Sequence, residues 1–242
     1  MSTDLRRKPG TKAPHLLPAE VILWSQASDW LLAPQQDRSR RTLSKILEAA
    51  ITLFCNKGFT QATIAAISEA SGVSIGTIYG RFEDKQAILQ AILAAYYRSR
   101  REQFDDMFSE ESCQGSSLEQ VVVFYTDLIF SAFRQDAALI LLADAARSNN
   151  AQIAQQVGDL NRHAAIRFGD VLQAHADQIR QPDIRAAAML YHDLISCLAR
   201  VSIQPTGPVA SSFILTDPAI EHKMVTMFLN HLRTPDGSAL SS

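Results

Sequence analysis

The chain has 242 residues, 47% apolar and 20% charged, with a formal net charge of −2. That length supports one large or two ordinary domains with a real core, and that balance excludes a disordered chain. No unbroken apolar run reaches the ~18 residues of a spanning helix, and Pro18 and Glu20 break the patch after Arg6, Arg7 and Lys8 that would otherwise resemble a secretory signal, so a cytoplasmic protein with no membrane partner is expected.

The charge is unevenly distributed. Residues 38–101 carry ten Lys/Arg against four Asp/Glu, whereas residues 102–242 carry nine against seventeen. A basic third followed by an acidic remainder fits one nucleic-acid module attached to a body that avoids phosphate. The cysteines, Cys55, Cys113 and Cys197, are odd in number and widely spaced. This argues against a disulfide framework or a zinc site. Cys55 falls on the apolar side of a predicted helix and reads as a small buried hydrophobe. Cys113 lies in a polar connection with nothing beside it to lower its pKa.

In chain order, residues 1–37 are an N-terminal extension broken by Pro9, Pro14, Pro18 and Pro34. Between Pro18 and Pro34, Val21, Trp24, Ser28 and Leu31 recur at helical spacing, so one short amphipathic helix is expected there, docked on the chain or on a partner. A disordered tail or a basic arm along DNA are the other readings. The first confident helix covers 39–57, with Leu43, Ile46, Leu47, Ala50, Leu53 and Phe54 as its apolar stripe and Gly58 as its stop. Thr63 starts a second helix running to about Ser71, Gly72 supplies a turn, and Ser74 caps a third helix from Ile75 to about Phe82. Ile64, Ile67, Val73, Ile78 and Phe82 form the expected buried set. This is the pattern of a helix-turn-helix, whose second helix can enter a DNA major groove. Glu83 and Asp84 begin a long fourth helix to about Phe108. Further helices are predicted near 117–134, 136–148, 149–179, 183–203 and 217–233, with a loop at 204–216 and a flexible tail over 234–242. The expected fold is all-α: a helix-turn-helix DNA-binding domain at 38–84, then a helical ligand-binding and dimerisation domain at 85–233.

Segment 41–89 includes ILEAAITLFCNKGF, TIAAISEASGVSIGTIYGRF and EDKQAIL. With Gly58-Phe59, Gly72-Val73-Ser74, Gly76-Thr77-Ile78-Tyr79, Phe82 and Lys85, it closely resembles the N-terminal domain of TetR-family transcriptional regulators. The resemblance covers about fifty residues; the remainder agrees only in being helical and of suitable length. It implies a homodimer with one helix-turn-helix per subunit, a small-molecule ligand held in the C-terminal domain, and an interface from the last two long helices, 183–203 and 217–233. Their apolar residues include Met189, Leu190, Leu194, Cys197, Leu198 and Val201 on one, and Ile220, Met224, Met227, Phe228 and His231 on the other. It further implies release of DNA on ligand binding, and hence a repressor on a palindromic site with half-sites about 34–36 Å apart.

The chain departs from the family pattern at Ala65-Ala66, Ile75 and Gly80, where polar residues are common. Base readout then leans on Thr77, on backbone approach at Gly76 and Gly80, on Arg81, and on apolar contact of Ile75 with a thymine methyl, with Ser74 at the helix start. For Ile75, packing is the competing role. Thr63, Tyr79 and Lys85 look like phosphate contacts. The plainer roles are a cap for Thr63, a packed ring for Tyr79 and a solvated cation for Lys85.

In the C-terminal domain, Phe104, Met107, Phe108, Tyr125, His163 and Phe168 are the candidate ligand-binding residues, with Phe124, Phe133, His175 and His192 beside them. Plain core packing is the alternative for the aromatic residues. The histidines lack metal-site spacing, so no metal and no cofactor is expected. Without a Gly-rich phosphate loop, a nucleophile elbow or a paired Cys or His-Glu motif, no enzymatic activity is expected. The remaining alternative is a ligand-independent DNA-binding protein of nucleoid or cell-division type built on the same domain.

Overall fold

Leu43, Ile46, Leu47, Ala50 and Phe54 fall on one side of a helical wheel, and all five are buried in the computed structural model, which describes residues 37–204 and 217–235. The expected helix between Pro18 and Pro34, the connection through 205–216 and the end of the tail lie outside those residues. The described residues form ten α-helices, one 3-10 turn and no strand. They divide into two compact units, one ending at Tyr96 and the other beginning at Tyr97. That division falls inside the helix that starts at Lys85, whereas the expected domain boundary stood just before it.

The first unit holds α1 (Asp37–Lys57), α2 (Ile64–Ser71), α3 (Ile75–Tyr79) and the first half of α4 (Lys85–Met107). Thr63 caps α2, its Oγ1 accepting from Ala66 N at 3.1 Å. Gly72 adopts φ +66°, the left-handed conformation that L side chains resist. Hydroxyls then satisfy the turn: Ser68 Oγ donates to the Val73 carbonyl at 2.6 Å, and Val73 N donates to Ser71 Oγ at 3.2 Å. Val73, Ile67, Ile78 and Phe82 are buried together with the α1 stripe, while Ile64 is half-buried. The third helix is shorter than expected. It ends at Tyr79, with Gly80 at its C-cap and Gly80 N donating to the Gly76 carbonyl, and Phe82 reaches the core from a turn. Asp84, not Glu83, caps α4 through Oδ1 to Ala87 N at 2.8 Å.

The second unit contains the rest of α4, then α5 (Glu110–Cys113), α6 (Leu118–Gln135), α7 (Ala137–Arg147), α8 (Ala151–Gln173), a 3-10 turn (Ala176–Gln178), α9 (Ile184–Ile203) and α10 (Pro218–Arg233). The short α5 was not expected; Ser109 caps it within a stretch of polar residues that carries no apolar period. The long helix expected over 149–179 stops at Gln173. Ser117 and Gln120 form a reciprocal capping box at the start of α6. Asn150, Asp183 and Asp217 cap α8, α9 and α10, and Pro218 occupies the first turn of α10.

Helix α9 packs on α8 and α6, and α10 packs on α6 and α9. At the α8–α9 contact, a Cβ on Gly169 would stand 3.4 Å from the Ala188 methyl, so the two backbones approach closely there. Arg180 N donates to the Leu232 carbonyl at 2.8 Å, and Gln181 Nε2 donates to the carbonyls of His231 and Thr234. The open carbonyls at the end of α10 are thereby capped by residues some fifty positions earlier. Helix α9 has the length and mean hydropathy (1.2) of a bilayer-spanning segment. Part of that apolarity is core, with Ile184, Ala187, Ala188, Tyr191, Ile195 and Ala199 packed inside this unit, and part is surface, with Met189, Leu190 and Leu194 exposed.

Candidate nucleic-acid interface

Ser74 sets the start of α3. Its Oγ accepts from Thr77 N at 3.2 Å and lies 2.8 Å from Thr77 Oγ1, so a single hydroxyl orders the first turn. Five residues follow, and only Ile78 faces the core. Ile75 is 44% exposed and Tyr79 55%, with Gly76, Thr77 and Gly80 exposed beside them. Packing, the competing role for Ile75 and Tyr79, therefore does not explain either within this unit. The structure brings Ser74, Ile75, Gly76, Thr77, Tyr79 and Gly80 onto one short helix; Thr63 sits at the start of α2 with its hydroxyl engaged as a cap.

Two of the candidate DNA contacts have other work. Lys85 Nζ donates to the carbonyls of Phe59 (2.9 Å), Thr60 (3.2 Å) and Ala62 (3.1 Å), and it lies 4.6 Å from the centroid of the Phe59 ring. An ammonium has three donors, and all three are engaged. These contacts tie the start of α4 to the loop that leads into α2. Arg81 Nη2 donates to Ser39 Oγ and to the Ser39 carbonyl, which fastens the segment after α3 to the first turn of α1. That contact engages one guanidinium nitrogen, Nη2. Side-chain spacing cannot reveal either, because most of the partners are backbone carbonyls.

The second unit gathers four of the six candidate ligand residues. The Tyr125 and Phe168 rings stack at 3.8 Å with 6° between their planes, Phe108 meets Tyr125 edge-on at 5.2 Å, and Phe104 lies 6.4 Å from Tyr125. All four are buried, and Met107 is half-buried. His163 is engaged differently, with Nε2 2.9 Å from an Asp105 carboxylate that Arg167 also approaches at 3.2 Å.

Residues of α6, α9 and α10 complete this centre. Tyr191 stacks on Phe228 at 4.0 Å, so Phe228, expected on an interface, belongs to the core. Thr126 Oγ1 donates to the Val122 carbonyl and therefore accepts from Tyr191 OH at 2.7 Å. Tyr125 OH lies 2.6 Å from His192 Nδ1, and Ser196 Oγ lies 3.3 Å from His192 Nε2. A neutral imidazole protonated at Nε2 satisfies both contacts. Burial, aided by the charge of Arg200, lowers the His192 pKa to about 4, and burial raises both tyrosine pKa values. Thr126, Tyr191 and Ser196 were missed from sequence, although His192 and Ser196 stand four apart on α9, the spacing of one face.

An all-helical chain with a capped helix-turn-helix at its described N-terminal end is built as a DNA-binding regulator is built. The model for the tetR family of bacterial regulatory proteins matches residues 46–92, which span α2, α3 and their flanks. The uncharacterized HTH-type transcriptional regulator TtgW of Pseudomonas putida is 31% identical over 104 residues, which is 43% of this chain and 75% of TtgW. SrpR of the same species is also 31% identical over 104 residues, but the match spans 47% of its length. Among solved structures, a TetR-family regulator from Mesorhizobium loti superposes with a TM-score of 0.64 at 16% identity, over 81% of this chain and 97% of its own. The chain belongs to the tetR family of bacterial regulatory proteins.

Proposed function

We propose that the protein is a cytoplasmic, homodimeric transcriptional repressor that binds a palindromic operator through α3 and leaves it when a small molecule binds the C-terminal unit. It acts by binding, without catalysis. The observation that carries the reading is the exposed face of α3, where Ile75, Thr77 and Tyr79 project from a helix whose opposite side is locked into the core. The basic balance of residues 38–101 supports a phosphate-rich partner for that face. Thr63 and Tyr79 are the proposed phosphate contacts, and Ser74 to Gly80 the segment that enters the groove.

Dimerisation is assigned to α9 and α10. Met189, Leu190 and Leu194 on α9 and Met227 on α10 are exposed large apolar side chains, and Cys197 is exposed beside them. Such a concentration is typical of a covered surface. The experiment is selection of duplexes from a random pool by the purified protein, followed by footprinting. Two protected half-sites related by a two-fold axis are expected, and protection of a single unrepeated site overturns the dimeric reading.

One observation favours a second reading, a DNA-binding protein without an inducer. Phe108, Tyr125, Phe168 and Tyr191 are nearly inaccessible, their rings pack on one another, and the tyrosine hydroxyls are held by His192 and Thr126, so a ligand seated among them must separate them. Screening small molecules for a change in affinity for the selected duplex separates the two readings. Release by a compound that also protects the second unit from unfolding supports the repressor.

A further inference from the structure

The segment Ser74-Ile75-Gly76-Thr77-Ile78-Tyr79-Gly80 contains no Arg, Lys, Asn, Gln, Asp or Glu. The strong base-specific contacts of the major groove need those residue types: Arg or Lys on guanine, Asn or Gln on adenine, Asp or Glu on cytosine. Of the nearest cations, Lys85 donates to three carbonyls and Arg81 gives its Nη2 to Ser39, both outside α3. What α3 does offer is an exposed, branched apolar side chain at its first position. Ile75 is 44% exposed, whereas Ile67 and Ile78 are fully buried, so the core has no use for it.

The two glycines support the same reading. Gly80 has φ −69°, and Gly76 lies within the right-handed helix, so the backbone requires glycine at neither. A Cβ on Gly76 would meet nothing within 4 Å, and one on Gly80 would meet only carbonyls of its own helix at 3.4 Å or beyond. Internal packing therefore does not select glycine either. Bare backbone on both sides of Thr77 leaves room for an external surface to come close. The apolar group that base pairs present in the major groove is the thymine 5-methyl.

We infer that α3 reads thymine: each half-site carries T·A pairs whose methyl groups pack against Ile75, with the groove floor close to Gly76 and Gly80. This rests on the DNA-binding reading proposed above and deepens it by naming the bases. Thr77, whose hydroxyl already shares one hydrogen bond with Ser74, keeps the rest of its hydrogen-bonding capacity for a polar contact.

The test uses the full-length protein and the duplex it selects from a random pool. Replacing thymine by deoxyuridine in the half-sites removes the methyl groups and keeps every hydrogen-bonding edge. Affinity is expected to fall about fourfold for each methyl contacted. The penalty should persist in Ile75→Val and vanish in Ile75→Ala, whose thymine and deoxyuridine duplexes bind equally. Ile75 is exposed, so both variants should keep the wild-type melting temperature. A selected site indifferent to deoxyuridine in the wild-type protein overturns the inference and leaves DNA binding intact. A penalty that survives unchanged in Ile75→Ala places the methyl contact elsewhere and overturns it too. Binding without enrichment of any sequence overturns the inference and leaves DNA binding intact; failure to bind any duplex removes the DNA-binding reading itself, and this inference with it.

Discussion

Lys85 shows how much one side chain's neighbours decide. From sequence, a cation at the start of a helix has no dipole reason to be there, so phosphate is the natural partner. In the structure the three carbonyls of Phe59, Thr60 and Ala62 supply the reason. Lys85→Met keeps the aliphatic stem and removes the donors. It should cost about 2 kcal/mol of stability, in the range for hydrogen bonds to a charged group. DNA affinity should fall through disorder of the loop before α2, while the slope of log affinity against log salt stays at its wild-type value. A slope reduced by about one returns Lys85 to the phosphate contacts. His192 makes a second residue-level prediction. Its pKa near 4 in the folded protein lies below the ordinary histidine value of about 6.5. The unfolded chain binds the extra proton between these values, so the contribution of this histidine is complete above about pH 6.5 and declines as pH falls toward 4. Unfolding free energy should drop by about 2 kcal/mol from pH 7.5 to pH 5 on this account. Denaturant titrations of wild type and His192→Gln at both pH values check it; equal pH dependence in the two proteins refutes it.

Element starts were legible because helix caps are chemical signals carried by single residues. Thr63 and Ser74 accept the backbone N–H groups expected of them, and Asp217-Pro218 starts α10 as read. Stops were less legible. The apolar period of α3 continues to Phe82, yet the helix ends at Tyr79 because the chain turns after Gly80 to send Phe82 inward. Likewise α8 ends at Gln173 without Gly or Pro to announce it. At Gly72 the residue type and the conformation agree. Gly72→Ala meets no atom within 4 Å, so its cost is purely the left-handed backbone, about 1–2 kcal/mol. Thermal denaturation should show a lowered melting point for the first unit. Unchanged stability would mean that the turn relaxes to a right-handed conformation, and DNA binding should then be lost.

For the whole molecule, the membership of the two compact units follows from where the apolar faces lie. The alternation of core and exposed residues along α9 was visible as a broad apolar face, but which part turned inward was not. Tyr191, Ile195 and Ala199 are core, whereas Leu190 and Leu194 are exposed. Phe228 was misplaced for the same reason, since one apolar stripe does not say which neighbour it meets. If α9 and α10 form the two-fold interface, Leu190→Glu with Leu194→Glu should weaken dimerisation by about a hundredfold or more, because it buries charges without partners. Sedimentation equilibrium at micromolar concentration should then report monomers, with helical content unchanged; a persisting dimer moves the interface elsewhere. The clasp at the end of α10 has one more consequence. Arg180 and Gln181 hold the last carbonyls of that helix directly, while Val225, Phe228, Leu229 and Leu232 anchor its body. The final helix is thus attached by its own contacts, independently of the covalent connection through 205–216. Cutting that connection, or lengthening it, should leave α10 seated, and a separate peptide of residues 217–235 should restore a chain truncated before it.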